Sequence, residues 1–268
     1  MEFRDYAQRV VISCDLEEKL ALPPRGLTDH EPGEALFVER PGRARGLEIQ
    51  PGRSARVPSA KGMADLAQRR RILHAFANHE LQAVELFAWA LLAFPAAEPE
   101  FRRGLVRQVA EEIAHVQLYQ RRLEELETKL GDYPVSGYFW SKIRGVRTPR
   151  QFVAALCLTF ENANLDLSLE FAEAARQVGD VRTAHLLERV HADEIRHVSF
   201  GREWLGRWRG EGESLEAAYL ASVAWPLRPA LARGKTFQRE ARREAGLDGE
   251  FLRLFEEADP RSRVPERR

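Results

Sequence analysis

Residues 111–126 read EEIAHVQLYQRRLEEL, and residues 191–205 read HADEIRHVSFGREWL. Each stretch holds a Glu-x-x-His: Glu112 with His115, and Glu194 with His197. On a helix, positions three apart lie on one face, one above the other. Val109, Val116 and Tyr119 share that face with the first pair, and Leu187, Val190, Val198 and Leu205 share it with the second. An apolar stripe turns toward a core, so both pairs are expected to point inward. One such pair means little, because Glu and His at this spacing often form a solvated contact. Two pairs, each in mid-stripe, call for a look at the neighbouring segments.

Outward from these stretches, apolar residues recur at helical spacing over four long segments. Segment one (about 64–94) carries Ile72, Leu73, Phe76, Val84, Phe87 and Leu91, and Phe94-Pro95 ends it. Segment two (about 98–130) carries Leu105, Val109, Ile113, Val116, Leu123 and Leu126, with Gly131 as the expected stop. Segment three (about 148–178) opens with Thr148-Pro149, an N-cap followed by proline at the first helical position. Segment four (about 180–208) begins at Asp180 after Gly179. Four matched amphipathic helices predict an all-α four-helix bundle. Short links make 1–2 and 3–4 antiparallel hairpins, and residues 131–147 form a longer crossover.

Segment one places Glu80 on the stripe of Phe76, Val84 and Phe87. Segment three places Glu161 with Cys157, Leu158, Leu165 and Leu169. Glu80 precedes Glu112 by 32 residues and Glu161 precedes Glu194 by 33. The chain thus reads as two similar hairpins, each supplying one Glu and one Glu-x-x-His. Burying four carboxylates without compensation is costly, and two divalent cations would remove that cost. Oxygen-rich ligation with one imidazole per metal suits iron or manganese better than zinc or copper. This is the ligand pattern of di-iron carboxylate bundles. The predicted metal ligands are Glu80, Glu112, His115, Glu161, Glu194 and His197.

Other polar residues read differently. Glu85 lies about 140° around the helix from Glu80 and reads as a flank residue. His191 stands one turn before Glu194 and reads as a satisfied interior or flank histidine, with extra ligand or supporting donor as the alternatives. His74 and His79 read as surface or packing histidines. Tyr119 reads as core with its hydroxyl satisfied, or as a donor to a ligand. Cys157 reads as a small buried hydrophobe. Asn164 and Asp166 can orient ligands from outside the coordination sphere, or cap and pair as helical neighbours do.

The flanks are of another character. Residues 1–62 carry LPPRG, ERPGRARG and IQPGRSARVP, too rich in proline for long helices, and read as a wrapping arm around the 63–208 bundle, with a partly disordered tail as the alternative. Val10–Ile12 and Leu36–Val38 read there as short strands or helices. Residues 209–268 read as a C-terminal extension with helices near 213–223 and 236–257, broken by Trp225-Pro226 and Pro229, and a frayed tail.

The 268 residues balance 41 Lys+Arg against 41 Asp+Glu, which argues against a dominant nucleic-acid footprint. Two cysteines, Cys14 and Cys157, build no disulfide framework or thiolate zinc site. No apolar run reaches the roughly 20 residues of a membrane span. The start, MEFRDYAQRVVISCDLEEKL, lacks the apolar core of a signal peptide, so a cytoplasmic location is expected.

Several stretches carry a family resemblance: HAFANHELQAVELFAWAL (74–91), EEIAHVQLYQRRLEEL (111–126), GDYPVSGYFW (131–140), ENANLDLSLE (161–170), HADEIRHVSFGREWL (191–205) and KTFQREARREAGL (235–247). With the lead-in IQPGRSARVP, they resemble the ferritin-like superfamily and, more narrowly, the bacterial family catalogued as domain of unknown function 455. The likeness runs through most of residues 47–258, linkers included. It implies a ferritin-like bundle with metal at the six residues above. The family pattern often places a histidine two positions before the first Glu; here that position is Asn78, with His79 beside it.

The resulting expectation is a dinuclear iron oxidoreductase, with iron, manganese or a mixed pair as cofactor. It would use O₂ to oxidise or hydroxylate a small organic substrate, with an electron donor as a further partner. Membrane and nucleic acid are not expected partners, and the oligomeric state is open. Two alternatives belong to other classes. One is iron handling, as a ferroxidase or in peroxide detoxification. The other is a helical scaffold that the metal only staples.

Overall fold

The computed structural model describes residues 1–50, 55–224 and 226–259. Residues 51–54 of the proline-rich lead-in, Trp225 and the tail from residue 260 lie outside them. Helices dominate, and the chain divides into two compact units, Met1–Arg144 and Gly145–Arg268.

The first unit contains α1 (Phe3–Ile12), α2 (Leu16–Lys19), α3 (Leu66–Ala93), α4 (Pro99–Glu125) and α5 (Tyr138–Ile143). Two short strands, β1 (Ile49–Gln50) and β2 (Val135–Ser136), pair in parallel with Ile49 opposite Val135. Helix α3 starts where Asp65 accepts from the Gln68 amide at 2.8 Å, and α4 starts with Pro99 in its first turn. These two helices form an antiparallel hairpin, as their short link requires. From Glu80 to Phe94 every residue is buried, so α3 needs cover on the side away from α4. The arm supplies it. The apolar run Val10–Ile12 is part of helix α1, which packs along α3. Leu36–Val38 forms no regular element. Instead the Leu36 amide donates to the Leu92 carbonyl at 2.9 Å, and Trp89 Nε1 donates to the Val38 carbonyl at 3.1 Å.

The second unit contains α6 (Pro149–Ala155), a π-helical turn (Leu156–Glu161), α7 (Asn162–Gln177), α8 (Val181–Trp208), α9 (Leu215–Ser222), α10 (Arg239–Glu244) and α11 (Gly249–Glu256). Helices α7 and α8 form the second hairpin.

Three boundaries differ from the sequence expectation. Helix α4 stops at Glu125, six residues short of Gly131. Its end is closed by the Thr128 amide on the Leu123 carbonyl (3.0 Å) and the Glu127 amide on Glu124 (2.9 Å), with Glu127 itself at φ 55°. That is a Schellman closure on a non-glycine residue, so the glycine rule missed it. At the end of α7 the same bond pattern runs through Gly179 at φ 78°, where the rule holds. Segment three is not a continuous α-helix, because residues 156–161 wind wider. Thr159 Oγ1 reaches back to the Ala154 carbonyl at 2.8 Å, and Asn162 Nδ2 to Leu158 at 3.3 Å, covering carbonyls that a wider turn exposes. The helix expected over 236–257 is two helices, because the Leu247 amide folds back onto the Arg242 carbonyl at 2.9 Å and ends the first.

Candidate metal-binding triads

In the first unit, Glu80 from α3 meets Glu112 and His115 from α4. His115 Nδ1 lies 3.6 Å from Glu80 Oε2 and 3.4 Å from Glu112 Oε2. All three residues are at most 5% exposed. The i,i+3 spacing on α4 stacks Glu112 and His115 on one face, and the hairpin brings Glu80 level with them.

In the second unit, Glu161, the last residue of the π-turn, meets Glu194 and His197 from α8. His197 Nδ1 lies 3.1 Å from Glu161 Oε2 and 3.2 Å from Glu194 Oε2, and all three are at most 4% exposed. Asn164 Nδ2 donates to Glu194 Oε1 at 2.8 Å, which leaves Oε2 directed at the imidazole. Within each triad one ligand atom per residue lies within 4.8 Å of the others, so each triad can hold a metal ion.

The remaining candidates take other roles. Glu85 is not a flank residue but is fully buried. It pairs with Arg43 Nη2 at 2.7 Å and Lys19 Nζ at 3.1 Å, and accepts from Trp140 Nε1 at 2.9 Å. Its side of α3 is covered because α1, α2 and the Arg43 loop lie over it, a long-range fact that a helical wheel cannot contain. Asp166 orients no ligand. It is buried against Arg242 at 2.7 Å and accepts from the amides of Gly234 (2.8 Å) and Gln238 (2.7 Å), so it anchors the C-terminal segment.

His191 Nδ1 lies 3.0 Å from the Leu165 carbonyl and 3.4 Å from Ser168 Oγ; burial lowers its pKa, opposed by that carbonyl bond. His74 accepts from the Gly131 amide at 2.9 Å, and burial pushes its pKa down to about 4. His79 stacks on Phe139 with centroids 5.2 Å apart, and burial likewise pushes it to about 4. Tyr119 is buried edge-on to Phe76 with centroids 6.2 Å apart. Cys157 is buried in the π-turn.

Sequence reasoning missed Lys19, Arg43, Trp140 and Arg242. Lys19 and Arg43 sit in charged or proline-rich stretches that look solvated. No local signal marks them as buried.

No curated protein and no solved structure matches the chain. A family model described as "Protein of unknown function (DUF455)" matches residues 7–253, nearly the whole sequence. The chain that folds these two buried Glu/His triads belongs to the DUF455 family.

Proposed function

We propose that the two triads hold a pair of redox-active ions, iron or a mixed iron–manganese pair, and that the protein is an oxidoreductase using O₂ to oxidise a small organic substrate. The observation that carries this reading is the repetition of one donor set. Each hairpin buries two carboxylates around a single histidine Nδ1 at 3.1–3.6 Å. Two carboxylates against one imidazole leave negative charge in each buried triad, which a divalent cation would neutralise. Two such ions, when bound, supply the electrons that reduce O₂.

The chain's own residues do the rest. His115 and His197 fix the position of each ion. Asn164 holds one oxygen of Glu194, which limits how that carboxylate can swing. The buried valines beside the triads, Val109 and Val116 on α4 and Val190 and Val198 on α8, keep water out, which strengthens every charge interaction inside. Six protein side chains shared between two ions would leave coordination positions open, as a reactive site needs and a structural one usually lacks.

The test is to load the apo protein with iron(II) without oxygen, count iron per chain by mass spectrometry, and mix with oxygenated buffer in a stopped-flow instrument. Two ions per chain, rapid oxygen consumption and a transient visible absorption are expected. His115→Ala and His197→Ala should each lower the metal count and slow oxygen consumption by about 100-fold or more. Two tightly bound irons with no oxygen consumption over minutes would overturn the oxidoreductase reading in favour of a structural metal. Steady accumulation of ferric iron beyond two per chain would favour iron handling.

A further inference from the structure

Away from the first triad, α3 carries a second feature. Asn78 and Glu85 lie about 140–160° around the helix from Glu80. On this side the first unit opens a cleft of about 1040 Å³, walled by arm residues 39–43, 48–50 and 55–57, by residues of the crossover between 136 and 144 and by His79. Its volume matches the upper range of small-molecule sites and exceeds what an inorganic ion fills.

The charge at its floor is unbalanced. Lys19, Arg43 and Glu85 have side chains at most 4% exposed. The Lys19 ammonium donates to the carbonyls of Val10 (2.5 Å) and Val11 (3.3 Å) and forms an ion pair with Glu85 Oε1 at 3.1 Å. Arg43, which lines the cleft, gives Nη1 to Asn78 Oδ1 at 3.0 Å and Nη2 to Glu85 Oε2 at 2.7 Å. Its Nε has no hydrogen-bond acceptor among the described residues. Two buried cations therefore share one carboxylate, and one positive charge is left over at the cleft wall. Among the described residues, Arg40, Arg56, Arg144, Glu39 and Glu48 also line the cleft.

The wall also presents flat aromatic surface, from Trp140 and His79. Trp140 is held in place by its bond to Glu85. The His79 ring, stacked on Phe139, lines the cleft and adds a planar surface. A ligand that fits both the excess charge and the flat wall has an anionic head on a planar body.

We propose that this cleft is a binding site for a small organic anion, a carboxylate or phosphate carried on a planar apolar body. It is a separate site from the triads and does not depend on metal. The anion compensates the charge that Glu85 leaves unmatched, and the body lies on the Trp140 and His79 surface. A charge-assisted contact of this kind is stronger inside a cleft than in open water.

The experiment is calorimetric titration of the full-length apo protein with benzoate, phenyl phosphate, benzyl alcohol and inorganic phosphate. Benzoate or phenyl phosphate should bind one per chain, weakening as salt rises, and whichever binds more tightly identifies the head group. Benzyl alcohol and inorganic phosphate, each lacking one half of the ligand, should bind at least about tenfold more weakly. Replacing two exposed cleft residues together, Arg40→Gln with Arg56→Gln, should weaken the anion by about tenfold or more without moving the urea midpoint. Glu112→Gln, in the triad, should leave binding unchanged. The proposal falls if neither aromatic anion binds below about 10 mM, if benzyl alcohol binds as well as benzoate, or if the double variant binds like the unaltered chain.

Discussion

In the first hairpin, Phe76 and Tyr119 stand one turn from Glu80 and His115, and their rings meet edge to face at 6.2 Å. In the second hairpin the corresponding places, one turn from Glu161 and His197, hold Cys157 and Gly201. There a Cβ built on Gly201 would come within 2.4 Å of Cys157 Cβ. The same ligand set is carried by two different packings. One hairpin separates its helices with large rings. The other draws α8 against a π-turn so closely that only glycine fits. A second correspondence runs beside it. Five residues beyond the first-helix glutamate, each hairpin buries another carboxylate, Glu85 after Glu80 and Asp166 after Glu161. Each is locked by an arginine from outside its hairpin, Arg43 from the arm and Arg242 from the C-terminal segment. The comparison teaches that the ligands constrain the inner face, while the outer face is free to recruit whatever flank covers it.

The largest energetic effect should come from breaking the two arginine locks. Glu85→Gln leaves both Lys19 and Arg43 without a buried counter-charge, and Asp166→Asn leaves Arg242. Each should cost about 3–5 kcal/mol in urea unfolding, with Glu85→Gln the more damaging. Equal or negligible losses would mean that the two nodes are not the paired anchors described here.

Acid should distinguish the units next. In the fold, neutral His74 accepts the Gly131 amide with a pKa of about 4, against 6.5 in the unfolded chain. Its folded pKa is depressed, so the unfolded state binds the proton first. Stability is intact above about pH 6.5 and falls as pH drops toward 4, by up to about 3 kcal/mol. His74→Gln, which keeps an acceptor but cannot titrate, should flatten that part of the profile. Urea midpoints of the metal-free protein across this range provide the check.

A smaller loss is expected from Gly201→Ala, about 1–3 kcal/mol, because Cys157 or α8 must shift. Tyr119→Phe, at the corresponding place in the first hairpin, keeps the ring and should cost less. If Gly201→Ala is neutral, the close approach of α8 to the π-turn is not what sets that hairpin's packing. The smallest effect should be at Asn164. Its counterpart in the first hairpin is Ala83, which has no side-chain donor. Asn164→Ala should weaken metal binding at the second triad by about tenfold and leave the first unaffected, as read by competition with a chelator.

Much of the site could be read in the sequence because its logic is local. Glu-x-x-His spacing puts two side chains on one face whatever surrounds the helix, and the short hairpin links bring a third residue level with them. Asn164 was legible for the same reason, lying one turn from Glu161. The readings that failed concern the outer face. Glu85 looked like a flank residue because its partners, Lys19 and Arg43, are 66 and 42 positions earlier in the chain. Asp166 could be read as a ligand's helper or as a residue paired nearby on its helix, but Arg242, 76 positions later, takes its carboxylate.

What the sequence determined by itself is therefore the helical hairpins and the residues on their inner faces. Periodicity of about 3.6 residues fixes which side chains share a face before any tertiary contact exists. Only the tertiary structure decided that α3 is covered all round, that Glu161 sits on a π-turn, and that α4 ends on Glu127 instead of a glycine. Each of these depends on what distant chain comes to rest against the helix. A buried charge is stable only where its partner arrives, and a wide turn is tolerated only where a facing glycine gives it room.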